Sequence, residues 1–440
     1  MKANPLTDHG GLTLQLKRFM PVLAVLVVFS MLLPAMAAAG DRDDSGKVKV
    51  ETVTSSASWV SPGWGYNAPK VVRNEKGEIW ALNFFGRYPE SSAQIFKRRL
   101  DGTWMPGRVF PGNYQPAMIF LDHEGRLNLI QNSETEPVRQ FRSTDDQNLN
   151  NFKLVASGNG LEDGRGWYVG VGVHGSTIYM SYITLSYNLY LTWKGVNDPE
   201  WHKAVVLNRG EVNKVLGNKS WLYPRFYFHG DSGYIAVSGT IDGTAHNTYN
   251  TIHIIRFPLR NPEQFKTQAV YEGPIGYYTY CFDMIITPDG TIMCGFTTGK
   301  HKYGPEQASA LSLGLYVAVK RPTGRKWEIH QVDDHYGNIS LNYSPAGSLY
   351  AVVTRGWSDE ENKCLLKKSS DYGRTWQTVN DNIFSGRPQI KRPFFLQTAH
   401  AQSGSAVSNL ILGLLTNLHS AEPAADLYTF DLLQIQISMR

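Results

Sequence analysis

The sequence predicts an all-β fold, a seven-bladed β-propeller of four-stranded blades. Three observations predict it: a phrase repeated seven times at a nearly constant interval, a glycine turn at a fixed place in each repeat, and a composition rich in glycine and aromatic residues. An aromatic or basic residue opens each repeat ahead of a short apolar strand. These openers are Tyr66, Tyr114, Trp167, Tyr223, Tyr280, Tyr336 and Arg392, spaced 48, 53, 56, 57, 56 and 56 residues apart. The turn that follows carries Gly77, Gly125, Gly175, Gly233, Gly290, Gly347 or Gly404. Glycine recurs there because tight hairpin turns need a positive φ. Each turn leads into a strand of alternating polarity, such as EIWALNF, TIYMSYI, TIMCGFT or SLYAVVT. Third and fourth strands follow, joined by a polar turn ahead of a Trp or Phe, as in PTGRKW (322–327). A blade this small cannot bury its own faces, so its neighbours must cover them. The 41 Gly, 23 Tyr, 19 Phe and 11 Trp suit such short strands and turns. Residues 51–60 and 427–437 read as strands that share the last blade and close the ring, and helix is expected to be nearly absent.

Ahead of the repeats, residues 1–37 read as a cleavable signal peptide. Lys17 and Arg18 precede the uncharged run from Phe19 to Leu33, and small residues follow, with cleavage expected after Ala37. Residues 38–50 read as a disordered N-terminal segment and 51–440 as the propeller. The expected location is secreted or periplasmic, as a monomer, with no membrane insertion after cleavage. The formal net charge of +5 is too mild to call for nucleic acid. Three cysteines, Cys281, Cys294 and Cys364, cannot build a disulfide framework. If the hairpin closes at Asp289-Gly290, Cys281 pairs near residue 298 and Cys294 near 285. The two thiols then stand about four residues apart along the sheet, too far for a bridge. No organic cofactor is indicated, and a structural calcium or zinc stays open.

The segment Ser369-Ser370-Asp371-Tyr372-Gly373-Arg374-Thr375-Trp376 has the form S-x-D-x-G-x-T-W. Such a phrase makes a turn in which the carboxylate and hydroxyls bond to turn backbone while the indole packs between sheets. It resembles the bacterial neuraminidase repeat, or Asp-box. Sialidases, well-known owners of that repeat, open their first blade with Arg-Ile-Pro. Here YNAP carries Asn67 at the place of that Arg, so the resemblance does not extend to sialic acid hydrolysis. On the phrases FRSTDDQNLNNF (141–152), YPRFYF (223–228) and YCFDMIITPDG (280–290), the chain resembles the wider neuraminidase-repeat group of secreted propellers, which includes ulvan lyases and rhamnose–glucuronate-cleaving enzymes. The resemblance implies that ligand binds on the face shared by loops entering the innermost strands and loops leaving the second strands. It also implies catalytic His residues in the second blade, where this chain reads GNYQPA (112–117) and IQNSE (130–134) with no His.

On the implied face the sequence places Arg, Tyr, Trp and His but few carboxylates. Arg forks suit carboxylates or sulfates and aromatic planes suit sugar rings, so the expected partner is an acidic polysaccharide or oligosaccharide. The substrate-binding candidates are Arg165, Arg225, His335, Tyr336, Arg355 and Trp167. The catalytic candidates are His246, His301, Tyr223 and Tyr280. Only Asp242 and Asp334 offer carboxylates there, which favours β-elimination at a uronate over hydrolysis by paired carboxylates. Arg225 or Arg165 would neutralise the uronate carboxylate, His246 or His301 would take the C5 proton, and Tyr223 or Tyr280 would protonate the departing O4. Strand alternation puts Tyr223 and Arg225 on one side. A non-catalytic glycan- or protein-binding propeller stays open, as does a glycoside hydrolase removing a terminal sugar such as rhamnose. His123, His174 and His229 fall in first-turn positions on the opposite face and read as surface residues.

Overall fold

The computed structural model describes residues 47–439, apart from 59–68, 88–90, 114, 133–136, 146–147, 159–160, 162–166, 185, 211–219, 241–248, 275–276, 301–310, 356–362, 391–392, 400–408 and 423–426. The signal peptide, Arg165, His246, His301 and Gly404 lie outside the described residues. Within them the chain forms seven antiparallel four-stranded sheets, the blades of a propeller, and no helix. The innermost strands of blades 1 to 6 are Val71–Arg73, Gln115–Leu121, Trp167–His174, Trp221–His229, Tyr277–Ile286 and Gly337–Tyr343. Each of these six blades then adds its second, third and fourth strands in chain order, moving outward.

Blade 7 is built from both ends of the chain. Phe394–Thr398 is innermost, Asn409–Glu422 and Leu427–Ser438 follow, and Val48–Ser58 is the outer strand. That outer strand pairs from Val48↔Ile437 to Ser58↔Tyr428, so ladder hydrogen bonds close the ring as the sequence led us to expect. It begins at Val48, and the sheet therefore takes in residues 48–50, which sequence reading left in the N-terminal segment.

The core lies between blades. Leu82 and Ile95 of blade 1 meet Ile119 and Leu129 of blade 2. Val352 and Leu366 of blade 6 meet Leu412 and Ile435 of blade 7, whose Ile411 and Leu432 face Val71 and Ala81 of blade 1. Each sheet is thus apolar on both faces, which explains strands that are buried at nearly every residue, such as Ile79–Phe85 and Ser232–Gly239.

The expected turn glycines Gly77, Gly125, Gly175, Gly290 and Gly347 all take positive φ, between 56° and 83°. Blade 4 departs from the expectation. Its strand runs on to His229, so the turn glycine is Gly230, with φ of 55°, while Gly233 lies in the second strand. A Cβ at Gly233 would stand 2.2 Å from the Phe257 ring, so that glycine serves close packing instead.

The cysteine register also differs from the expectation. Cys281 pairs with Phe296 and Cys294 with Met284, with a bulge between Cys281 and Asp283. The two thiols are therefore diagonal neighbours, two residues out of register rather than four. Burial raises the Cys294 pKa well above its ordinary value, and the adjoining Cys281 thiol adds to the rise. All three cysteines are free and buried.

The turn Ser369–Trp376 has the internal bonding expected of its phrase. Asp371 accepts from the Thr375 N–H at 2.9 Å and from its hydroxyl at 2.6 Å, and Trp376 donates to the Gly373 carbonyl at 3.0 Å. The two Thr375 bonds, the hydroxyl first, with those from the Ser369 hydroxyl and the Arg374 N–H, hold the Asp371 pKa down to about 2. The bonding therefore stabilises the fold above pH 3.8 and is lost as the pH falls through about 2. The half-buried Trp376 packs against the core cluster shared by blades 3 to 6. Trp376→Ala is expected to cost about 2–3 kcal/mol, below the range for a fully buried indole. Asp371→Ala should cost about 1 kcal/mol and leave activity intact. Urea unfolding of the two variants checks the order.

Candidate functional site

Several innermost strands are broken near their start, the end met by the loops that enter them. Register shifts fall between Gln115 and Met118, Trp167 and Gly170, Leu222 and Arg225, Cys281 and Asp283, and Phe394 and Leu396. A bulge of this kind ends the simple alternation and re-aims side chains. In blades 3 and 4 it holds Tyr168 and Tyr223 at φ of 46° and 58°, a left-handed backbone that bulky residues seldom adopt.

These bulges gather an arc of tyrosines across blades 3 to 6. The Tyr168 ring meets Tyr223 edge-on at 4.8 Å, and Tyr223 lies 5.9 Å from Tyr249 and 6.3 Å from Tyr280. Tyr249 is 5.6 Å from Tyr280, which stacks at 6.0 Å on Tyr278. Burial raises the Tyr249 phenol pKa, with Tyr168, Tyr187 and Tyr278 adding to the rise. Burial followed by Tyr278 likewise raises that of Tyr336, and burial that of Tyr278. These phenols are therefore protonated donors at neutral pH. Tyr187 also has a positive φ, 61°, so three of the arc's tyrosines carry left-handed backbone. Such backbone costs on the order of 1–3 kcal/mol per residue and concentrates at sites where geometry matters more than stability.

The arc ends beside a charged cluster where blade 5 passes into blade 6. The buried Asp333 accepts from Arg355 Nε at 2.9 Å and Nη2 at 3.0 Å, and pairs with Lys367 Nζ at 2.7 Å. These partners overcome the upward push of burial and lower the Asp333 pKa. His335 Nδ1 lies 2.6 Å from the exposed Asp334 carboxylate and 3.2 Å from that of Asp333. An Nδ1–H donated to carboxylates leaves the basic lone pair on Nε2, which is how a general base is oriented. Asp333, Asp334 and His335 are the one group among the described residues close enough to share a metal ion. Arg355 and Lys367 already neutralise Asp333, so the donor set fits a cation poorly.

Of the residues singled out from sequence, Tyr223, Tyr280 and Tyr336 therefore share one arc, and His335 and Arg355 share one cluster. Trp167 begins its strand, but its side chain lies outside the described residues. Arg225 is placed differently from the expectation. The bulge at Tyr223-Pro224 breaks the alternation that was to align it with Tyr223. Arg225 donates to the Phe282 carbonyl, lies 3.3 Å from Asp283 and lines the axial cavity. Sequence reading missed Tyr168, Tyr249 and Asp333. Tyr168 stood masked by the opener Trp167, and Asp333 by the adjacent Asp334.

No family model matches the sequence, and no curated protein matches it. Among solved structures, the chain is similar to a polysaccharide lyase of family PL25, an ulvan lyase, at a TM-score of 0.57 and 10% identity, over 80% of this chain and 89% of that one. The same lyase bound to -[GlcA(1-4)Rha3S]- matches at 0.57 and 10% identity, over 85% and 92%. The polysaccharide lyase Uly1 matches at 0.51 and 11% identity, over 85% of this chain and 90% of that one. At such identities the likeness is one of fold.

Proposed function

We propose that this protein is a secreted, carbohydrate-active propeller that cleaves an acidic, uronate-containing polysaccharide by β-elimination at the tyrosine arc. The observation that carries the reading is the strained, largely half-buried arc itself, whose Tyr249, Tyr278 and Tyr336 phenols are protonated, with Tyr336 directly following His335, whose imidazole is anchored through Nδ1. Elimination needs those parts. A base takes the C5 proton, the C4–O4 bond breaks as the C4–C5 double bond forms, and an acid protonates the departing O4. His335 is our candidate base and Tyr223 or Tyr280 the acid. Arg355 and Lys367 balance the carboxylates of Asp333 and Asp334, so the uronate carboxylate would be neutralised by a cation outside this cluster. Arg165 is a candidate for that cation, and His246 and His301 are alternative bases, in loops that serve the same blades. The likeness in fold to ulvan lyases agrees with this reading.

A second reading, a glycan-binding propeller without catalysis, draws on the internal pairing of Arg225 and Arg355 with Asp283 and Asp333. Incubation with ulvan, gum arabic and other uronic acid polymers separates the two. Elimination generates an unsaturated uronate, seen as rising ultraviolet absorbance. Binding without that rise would establish the second reading, and new reducing ends without it would establish a hydrolase.

A further inference from the structure

Cys281 and Cys294 lie on neighbouring strands of blade 5, the innermost strand Tyr277–Ile286 and the second strand Ile292–Lys300. Cys281 pairs with Phe296, and Cys294 with Met284. All four side chains belong to one buried cluster with Tyr234, Ala236 and Ile254 of blade 4, so both thiols leave the sheet on the face toward that blade. Cys281 is 5% exposed and Cys294 fully buried. Cys364 belongs to a separate cluster, between blades 6 and 7.

In a regular ladder a diagonal pair stands roughly 7–8 Å apart at Cα, just beyond what a disulfide spans. This ladder is not regular. From Cys281 to Met284 the innermost strand advances three residues while its partner advances two, from Phe296 to Cys294, and Phe282 is left out of the pairing. Such a bulge bends its strand and gives it a place to yield. The two thiols adjoin across it. After burial, the larger cause, the Cys281 thiol raises the Cys294 pKa by hydrogen bonding and by charge. The Cys281 Sγ also lies 3.7 Å from the Asp283 carbonyl, on the far side of the bulge.

We infer that Cys281 and Cys294 are a dithiol that a small organic disulfide converts into a cross-strand disulfide, bracing the bulge between Tyr280 of the arc and Asp283. Cys281, the more exposed of the two, is the entry point. Its thiolate attacks one sulfur of the reagent and expels the other half as a thiolate. Cys294 then gives up its proton and attacks the Cys281 sulfur, and the 281–294 bond forms as the mixed disulfide breaks and the second half departs. Two protein thiols are oxidised by two electrons, and the organic disulfide is reduced to two thiols. Burial holds Cys294 protonated at neutral pH, so the closing step is slow there and quickens as the pH rises. The bond closes a loop of twelve intervening residues and restricts the unfolded chain, so it stabilises the fold.

The test incubates the folded protein with 2-hydroxyethyl disulfide at about pH 9, where thiolate is more abundant. Remaining thiols are alkylated after denaturation, and the peptides are mapped by mass spectrometry. The expected result is the loss of two of the three free thiols, a peptide pair linked through Cys281 and Cys294, and Cys364 alkylated by itself. The bridged protein should melt at a higher temperature, and dithiothreitol should reverse both changes. Cys364→Ala should bridge as the wild type does, whereas Cys294→Ala should give no bridge and no gain in melting temperature. Three alkylated thiols after prolonged exposure of the folded protein, or a bridge that includes Cys364, overturns the inference. So does a bridge between Cys281 and Cys294 that lowers the melting temperature.

Discussion

Asp283→Ala is expected to destabilise the propeller by about 3–5 kcal/mol, among the largest losses any single side chain here should cause. Asp283 is 1% exposed and stands where four blades meet at the axis. Its Oδ1 accepts the Tyr227 hydroxyl of blade 4 at 2.8 Å and faces Arg225 Nη2 of the same blade at 3.3 Å. Its Oδ2 accepts the Leu341 N–H of blade 6 at 2.9 Å and the Thr398 hydroxyl of blade 7 at 3.0 Å. Alanine leaves a buried guanidinium without its counter-ion and strands these donors together, so the loss exceeds that of one hydrogen bond. Asp283→Asn retains an acceptor and should cost less. Arg225→Ala removes the charge along with its partner's load, and should lower the melting temperature while sparing polysaccharide affinity. Chemical denaturation of the three variants, with titration of Arg225→Ala against an oligouronate, tests this account. A wild-type midpoint for Asp283→Ala would refute the axial tie, and a specific loss of affinity in well-folded Arg225→Ala would return that residue to the substrate site.

How far the sequence could be read follows from what kind of contact each residue makes. The blades were legible because short apolar strands and turn glycines are local signals, and the seven openers repeat them at almost equal spacing. Ring closure was legible because Val48–Ser58 continues the same pattern that Leu427–Ser438 ends. What failed were inferences that assumed unbroken alternation. The bulge at Tyr223-Pro224 separates Arg225 from the tyrosine it was meant to join, and the bulge after Cys281 moves that cysteine beside Cys294. Gly233 was mistaken for a turn because a glycine under the Phe257 ring looks the same in sequence as one with positive φ. At the candidate site, Tyr223, Tyr280, Tyr336, His335 and Arg355 could be named from their place in the repeat. Their organisation depends on Asp333 and on rings from different blades, which no local pattern announces.

Tyr223→Phe is expected to reduce uronate elimination by about 10²–10⁴-fold, the scale of a lost general acid, with little change in stability. The ring is the structural part of this residue. It packs against Tyr168, Tyr249 and Tyr280, and phenylalanine preserves those faces and the left-handed backbone at the bulge. The hydroxyl is the chemical part, so a role confined to packing predicts unchanged turnover. Tyr280→Phe gives the parallel test, and the variant with the larger loss identifies the acid. His335→Ala should cause a fall of similar size if Nε2 is the base, whereas Asp333→Asn acts only through the orientation of His335 and Arg355. Asp333→Asn should therefore shift the pH profile of turnover and weaken substrate binding without abolishing the reaction. A substrate whose leaving group needs no protonation discriminates further. It should restore most of the rate to the phenylalanine variant that lacks the acid, and none to His335→Ala. Full activity in both phenylalanine variants would remove the arc from the chemistry and leave it as a sugar-binding surface.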